Sequence, residues 1–319
     1  MMTGNRISRR QVLATAVSGA VVAGLSKASG AESAAMTGGR AAAFRFCLNT
    51  GTLLSHKLTV EQEIETAAKA GYEAVEFWIN KLNDFVKGGG SLKDLKKKIA
   101  DAGLTVEGSI SFPSWCVDDD ARRAQALEQM KREMAMVAEL GAKRIAAPPA
   151  GVNNAPPLDL RKAAERFRAV LELGDQAGVT PVLEIWGASK NLSRLSEAAF
   201  VAIESGHPKA SILPDVFHLY KSGASFEGVK LLSNRMIQVF HLNDYPAEPP
   251  REKARDSDRV FPGDGIAPLT QILRDLADNG GGQVLSLELF NPNYAKQDAL
   301  TVATTGLEKM KAAVKKALG

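Results

Sequence analysis

Four residues able to bind a divalent metal stand near the ends of four successive apolar runs in the second half of the chain. Glu184 follows Val182-Leu183, Asp215 follows Leu213-Pro214, His241 follows Val239-Phe240, and Glu288 follows Ser286-Leu287. Three carboxylates and one imidazole make a hard, oxygen-rich ligand set. Such a set suits Mn²⁺ first, with Mg²⁺ or Co²⁺ as alternatives, over thiolate-preferring metals. Without a cation, three carboxylates in one place would repel one another and raise each other's pKa. Each residue alone has a plainer reading: a Glu at a strand end can be a cap or ion-pair partner, and a His on an apolar strand a hydrogen-bonded core residue. The combination on consecutive strands is what points to a metal.

For the four to converge, their strands must lie side by side and end at one face. Apolar runs at 44–49, 72–78, 105–112, 144–148, 180–186, 210–216, 236–243 and 283–290 read as strands. Amphipathic stretches at 59–70, 92–102, 120–140, 158–177, 193–204, 225–233, 266–279 and 297–317 read as helices, with apolar residues three and four apart. Gly71, Gly103, Gly141 and Gly178 stand where helices must stop before a strand. Strand and helix alternate throughout, so the α/β fold expected is a single-domain (β/α)8 TIM barrel. An open doubly wound sheet shares that periodicity, but no glycine-rich dinucleotide or phosphate-loop fingerprint supports it. In a barrel, polar residues at the C-terminal strand ends face the active-site mouth, and the long seventh loop, 244–265, would lie over it.

The N-terminus reads differently. Arg6 and the pair Arg9-Arg10 precede a mild Ala/Val/Gly stretch through Leu25, then Lys27 and the small residues Ala28 to Ala31. That order is a signal peptide of the twin-arginine type over 1–31, followed by a Ser/Gly/Ala linker at 32–43 and the barrel at 44–318. The expected location is therefore outside the cytoplasm, in the periplasm. The formal charge of +4 comes from this leader, since without it Lys and Arg number 36 against 36 Asp and Glu. A nucleic-acid partner is not expected, because phosphate binding needs a basic excess. No apolar run of spanning length interrupts the body of the chain. The two cysteines, Cys47 and Cys116, lack metal or redox spacing and could be free or paired.

The run of Glu184, Asp215 with His218 three residues on, His241, Arg259 before Pro262-Gly263-Asp264-Gly265, and Glu288 resembles the xylose isomerase-like TIM barrel family of sugar isomerases and epimerases. The likeness extends from about residue 44 to the end; its most specific parts are Phe240–Asp244 and the Arg-x-x-Pro-Gly-x-Gly loop. The resemblance implies that Glu184, Asp215, His241 and Glu288 ligate the metal. Glu184 and Glu288 would double as the acid/base pair, and His218 and Arg259 would hold substrate oxygens. Two departures stand out: the interval from His241 to Arg259 is long, and Lys190 replaces an acidic group common in ketose epimerases. An abasic-site endonuclease shares the barrel but calls for a richer histidine cluster than 4 His can provide.

The expected chemistry removes an α-proton from a ketose-type carbohydrate and returns it elsewhere through an enediolate. Return to the opposite face gives an epimer, and return to the neighbouring carbon gives an isomer. Loss of a β-hydroxyl makes the enzyme a lyase or dehydratase, acting on keto-sugars or keto-glycosides. A non-catalytic exported sugar-binding protein is the reading from another class. Trp186 is expected to touch substrate, within an apolar wall shared with Trp78, Trp115 and Phe112. Barrels of this kind often associate, so a homo-oligomer is allowed.

Overall fold

Alternation with period two builds the barrel from the inside. The structure, a computed structural model, describes Met1 and residues 44–319. The expected leader and linker therefore lie outside the described residues, Met1 apart. The elements are β1 Arg45–Asn49, α1 Val60–Ala70, β2 Ala74–Trp78, α2 Ile79–Lys87, α3 Leu92–Asp101, β3 Thr105–Ile110, α4 Asp120–Glu139 and β4 Arg144–Ala147. They continue with α5 Leu160–Ala177, β5 Thr180–Glu184, α6 Leu195–Glu204, β6 Ile212–Leu213, α7 Val216–Lys221, β7 Val239–Leu242, α8 Leu269–Asp278, β8 Val284–Leu287 and α9 Ala299–Leu318.

All strand pairs are parallel. Hydrogen-bonded ladders run in the orders β3-β2-β1-β8-β7 and β4-β5-β6. Bridges from Ile212 to Ile237 and from Asp215 to His241 join β6 to β7, and β3 lies beside β4, which closes the ring. The fold is the (β/α)8 barrel expected from the sequence.

One apolar side chain from each strand fills the barrel interior: Cys47, Ala74, Ile110, Ala146, Val182, Leu213, Val239 and Val284. Side chains two apart share a face of a strand. Val182 thus sets Glu184 inward, Leu213 sets Asp215 inward, and Val239 sets His241 inward; on β8 two such steps lead from Val284 through Ser286 to Glu288. A larger apolar cluster packs the outer strand faces against the helices. Gly71, Gly103, Gly141 and Gly178 have φ of 89°, 74°, 85° and 71°, the left-handed conformation that ends a helix without a Cβ penalty. Among the described residues, no helix is long and apolar enough to cross a membrane. Cys47 and Cys116 are both free and buried.

Three local features differ from the sequence reading. An additional helix, α2, begins directly after β2; its two apolar turns, anchored by Ile79 and Leu82, are too short for periodicity to reveal. Strand β6 shrinks to Ile212–Leu213 because Pro214 offers no N–H and Asp215 instead caps α7. The helix expected at 225–233 is a 3-10 turn at Phe226–Leu231.

At the β3/β4 seam the β2–β3 register shifts, leaving Glu107 as the extra residue of a bulge. Its buried carboxylate pairs with Arg144 and, at 3.3 Å, with Arg45; Arg144 Nε also donates to Gln238 Oε1 at 2.9 Å. Glu107→Ala would leave the Arg144 guanidinium without its anion, and removing one partner of a buried pair costs about 3 kcal/mol or more. The expected result is a clearly lower urea midpoint, with Glu107→Ala/Arg144→Met recovering part of the loss.

Candidate active site

Asp215, His241 and Glu288 come together at the top of the barrel, each offering a ligand atom within 4.8 Å of the others. All three are buried, Asp215 and His241 completely. Each carboxylate is positioned by local structure. Asp215 Oδ1 accepts from His218 N at 2.8 Å and so caps α7; its Oδ2 accepts from Asn243 Nδ2 at 2.8 Å. Glu288 Oε1 accepts from Asn49 Nδ2 at 3.1 Å, and Asn49 Oδ1 accepts in turn from Trp78 Nε1 at 3.0 Å.

The sequence reading missed Glu76, which fixes the imidazole. Its Oε2 accepts from His241 Nε2 at 2.9 Å, from Ser286 Oγ at 2.9 Å and from Asn49 Nδ2 at 3.0 Å. A proton held on Nε2 leaves Nδ1 as the lone-pair nitrogen once a cation displaces the second proton of the ring. Nδ1 has no aligned hydrogen bond and lies 3.2 Å from Glu288 Oε2 and 3.9 Å from Asp215 Oδ2. An orphaned imidazole nitrogen facing two carboxylate oxygens fits a divalent cation, and the three residues form a buried metal site. Burial alone would lower the pKa of His241; Glu288 and Glu76 instead hold it well above the usual range. Glu76 carries no sequence motif; only its inward register, two residues beyond Ala74, could have flagged it. Removing such a partner typically weakens metal binding about 10- to 100-fold. Glu76→Ala is therefore expected to lower Mn²⁺ affinity by that amount in calorimetric titration, and an unchanged isotherm would refute the role.

Glu184 shares the cavity but does not join the cluster of three. It is buried, and its Oε2 has no hydrogen-bond partner. Burial, reinforced by the nearby Glu288 charge, pushes its carboxyl up to about 8. Burial acts on Glu288 in the same direction, but His241 and Arg259 overcome it and hold that carboxylate down at about 2. The surroundings of the two expected acid/base residues thus shift their carboxyls in opposite directions.

Arg259, expected to hold substrate oxygens, sits deeper than that role suggests. Its NH1 donates to Asp215 Oδ2 at 3.0 Å and to Glu288 Oε2 at 2.9 Å. Its NH2 contacts His218 Nε2 at 3.1 Å and Asp256 Oδ1 at 2.5 Å. The guanidinium lies between the rings of Phe217 and Phe290, at 5.1 and 5.0 Å. His218, kept neutral by burial and by Arg259, accepts through Nε2, so its unpartnered Nδ1 carries the proton at the cavity wall.

The long seventh loop brings Arg259 and Asp256 to this place. Asp244 closes its base by accepting from the N–H groups of Tyr245, Gly263, Gly265 and Ala267 at 2.8–3.1 Å. A Cβ at Gly265 would fall 2.2 Å from Tyr245 O, so only glycine fits there. Lys221 Nζ ties down the crest through the carbonyls of Arg251, Glu252 and Ala254. A second close approach holds the β5 loop: a Cβ at Gly187 would lie 2.0 Å from His218 O. Gly187→Ala is expected to push α7 and His218 away and to weaken ligand binding more than it lowers the melting temperature.

Above these groups opens a cavity of about 590 Å³. Trp78, Phe112 and Trp186 line it as the sequence suggested, together with Phe290, which was not anticipated. Trp115 is not in the wall; it is fully buried against Phe167, and its Nε1 donates to Pro148 O at 2.8 Å. Lys190 is exposed and does not line the cavity.

Comparison with known proteins agrees with this geometry. The profile of the xylose isomerase-like TIM barrel matches residues 64–313. The chain belongs to that family. It is 26% identical over 277 residues to an inosose isomerase of Bacillus velezensis, covering 85% of this chain and 98% of that one. A 3-dehydroshikimate dehydratase of Pseudomonas aeruginosa is 26% identical over 264 residues, 79% of this chain but 39% of its own length. Among solved structures, an IOLI protein with a bound zinc atom superposes with a TM-score of 0.80 at 23% identity, over 86% of this chain and 99% of that one. The family and the buried triad together agree with a metal-dependent enzyme.

Proposed function

We propose that the protein interconverts α-hydroxyketones of the sugar or cyclic-polyol class by moving a proton between two carbons or two faces of one carbon. The observation that carries this reading is the pairing of Glu184 and Glu288. They line one cavity above the triad, where burial and the Glu288 charge push the Glu184 carboxyl up while His241 and Arg259 hold Glu288 down. A proton shuttle needs one group placed to give a proton and another placed to take it, on either side of the reacting carbon.

In this reading Glu288 takes the α-proton and Glu184 delivers one to the neighbouring oxygen or carbon. His218 Nδ1–H donates to a substrate oxygen, and Arg259 keeps Glu288 ionised. Trp186 contacts the substrate from the cavity wall. A divalent cation held by Asp215, His241 and Glu288 would polarise the ketone and its adjacent hydroxyl. The excess of oxygen over nitrogen ligands favours Mn²⁺, while the zinc in the related structure makes Zn²⁺ the comparison to run. Sequence likeness to inosose isomerases supports isomerisation of a ring ketone. Likeness to 3-dehydroshikimate dehydratases supports a second outcome, loss of a β-hydroxyl from the same enediolate.

The test is proton NMR in D₂O with Mn²⁺-loaded protein, using an inosose, a ketohexose and 3-dehydroshikimate. Deuterium entering an α-carbon supports the proposal, and the product identifies isomer, epimer or alkene. Stoichiometric metal with sugar binding and no deuterium uptake would indicate a binding protein instead. We further propose export by the twin-arginine route, on the N-terminal sequence alone. Retention of the uncleaved chain in the cytoplasm would overturn this.

A further inference from the structure

Four aromatic side chains from four different strand ends meet at the cavity. Trp78 lies 5.2 Å from Phe112 and 5.8 Å from Phe290, and Phe112 lies 6.2 Å from Trp186, measured between ring centroids. All four are half-buried, so they touch one another and still leave apolar surface facing the cavity. Large aromatic faces left open in a concave site mark a ligand-contact surface. The volume points the same way. At about 590 Å³ the cavity lies within the roughly 300–1,000 Å³ of sites that enclose drug-sized molecules, more than one sugar ring needs.

Charge limits what can enter. Arg259 is the only cation among the described lining residues, and it is fully buried, with both terminal nitrogens engaged by Asp215, Glu288, Asp256 and His218. Asp256 is half exposed and faces the cavity with a negative charge. Besides Glu184, Glu288 and His218, the remaining polar lining, Asn153, Asn154 and Ser189, is uncharged. Away from the triad, a phosphate would meet a carboxylate and no available cation.

We propose that the cavity contains a second subsite, walled by Trp78, Phe112, Trp186 and Phe290, for the apolar face of a second ring joined to the reacting one by a glycosidic bond. The substrate is then a neutral two-ring glycoside rather than a sugar phosphate. This inference rests on the α-hydroxyketone reading for the reacting ring and extends it to the rest of the molecule. A second sugar and an aryl group share the chemistry the wall recognises, a flat face of C–H or π character.

The test is direct binding, read from tryptophan fluorescence; two of the three tryptophans, Trp78 and Trp186, line the cavity. Mn²⁺-loaded protein is titrated with methyl β-D-glucopyranoside, phenyl β-D-glucopyranoside, cellobiose and D-glucose 6-phosphate. One stacked ring is worth on the order of a tenfold gain in affinity. Phenyl glucoside, cellobiose or both are expected to bind about tenfold tighter than methyl glucoside, and glucose 6-phosphate weakest. The tighter of the two identifies the second ring as aryl or sugar. Phe112→Ala, or Trp186→Leu should the first variant fail to fold, is expected to bring that ratio close to one. Equal affinities, no binding by the two-ring probes, tightest binding by the phosphate, or a ratio untouched in both variants would overturn the proposal. Because binding requires no turnover, this result and the deuterium experiment can fail independently.

Discussion

Glu184→Gln is expected to give a barrel that melts higher than the parent protein at pH 8 and exchanges protons far more slowly. Glu184 is buried and lacks a partner for Oε2, and burial together with Glu288 raises its pKa from 4.5 to about 8. The folded state therefore holds a proton that the unfolded chain has lost at intermediate pH. A carboxyl with a raised folded pKa costs no stability below about 4.5, and its cost grows as pH rises from there to about 8. At roughly 1.4 kcal/mol per pKa unit, the shift caps that cost at about 5 kcal/mol, and Glu288 shares responsibility for it. An uncharged glutamine of the same shape removes the cost.

The melting temperature of metal-free Glu184→Gln, relative to the parent, should be close to zero difference at pH 4.5. By pH 8 it should have risen by several degrees, since 1 kcal/mol moves a chain of this size about 2–4 °C. Deuterium uptake should fall by about 10² to 10⁴, the usual contribution of a positioned acid. A variant no more stable than the parent at pH 8 would refute the burial argument. One that exchanges protons normally would refute the catalytic assignment.

How much of this was legible in the sequence depended on whether a feature recurs with a period. Inward positions repeat every second residue, so Glu184, Asp215 and His241 could be placed from the apolar residues two positions before them, and Glu288 from Val284 four positions before it. Glycines at helix ends were readable for a similar reason, since a left-handed cap imposes a residue type. Glu76 was not readable, because its importance comes from His241, 165 residues later, and no spacing announces a partner at that distance. Arg259 could be assigned to the mouth from its loop, but not to the gap between Asp215 and Glu288, which depends on how Asp244 folds the loop base. Trp115 was expected in the wall and Phe290 was not, because both lie in the loops beyond the strand ends. The direction of a side chain in a loop follows from the turn, and composition does not show it.

The same conservative change at the other acid/base residue should have the opposite effect on stability. Glu288 is as buried as Glu184, yet His241 and Arg259 hold its pKa at about 2, below its usual 4.5. A carboxylate with a lowered folded pKa contributes stability that is fully present above about 4.5 and is lost as pH falls through about 2. Glu288→Gln forfeits that contribution at neutral pH, at most about 3.5 kcal/mol from the size of the shift. It also leaves the Arg259 NH1 donor and His241 facing a neutral amide. The variant is expected to melt several degrees lower than the parent at pH 7. It should bind Mn²⁺ with less than stoichiometric occupancy and incorporate no deuterium. Its deficit in stability should shrink on acidification toward pH 3, while the Glu184→Gln advantage should already have disappeared by pH 4.5. Two neighbouring carboxyls responding with opposite sign to one substitution is a result that uniform burial cannot produce. If both variants moved in the same direction, the division of the pair into a protonated acid and an ionised base would be wrong, and the proton shuttle would have to be assigned to other groups.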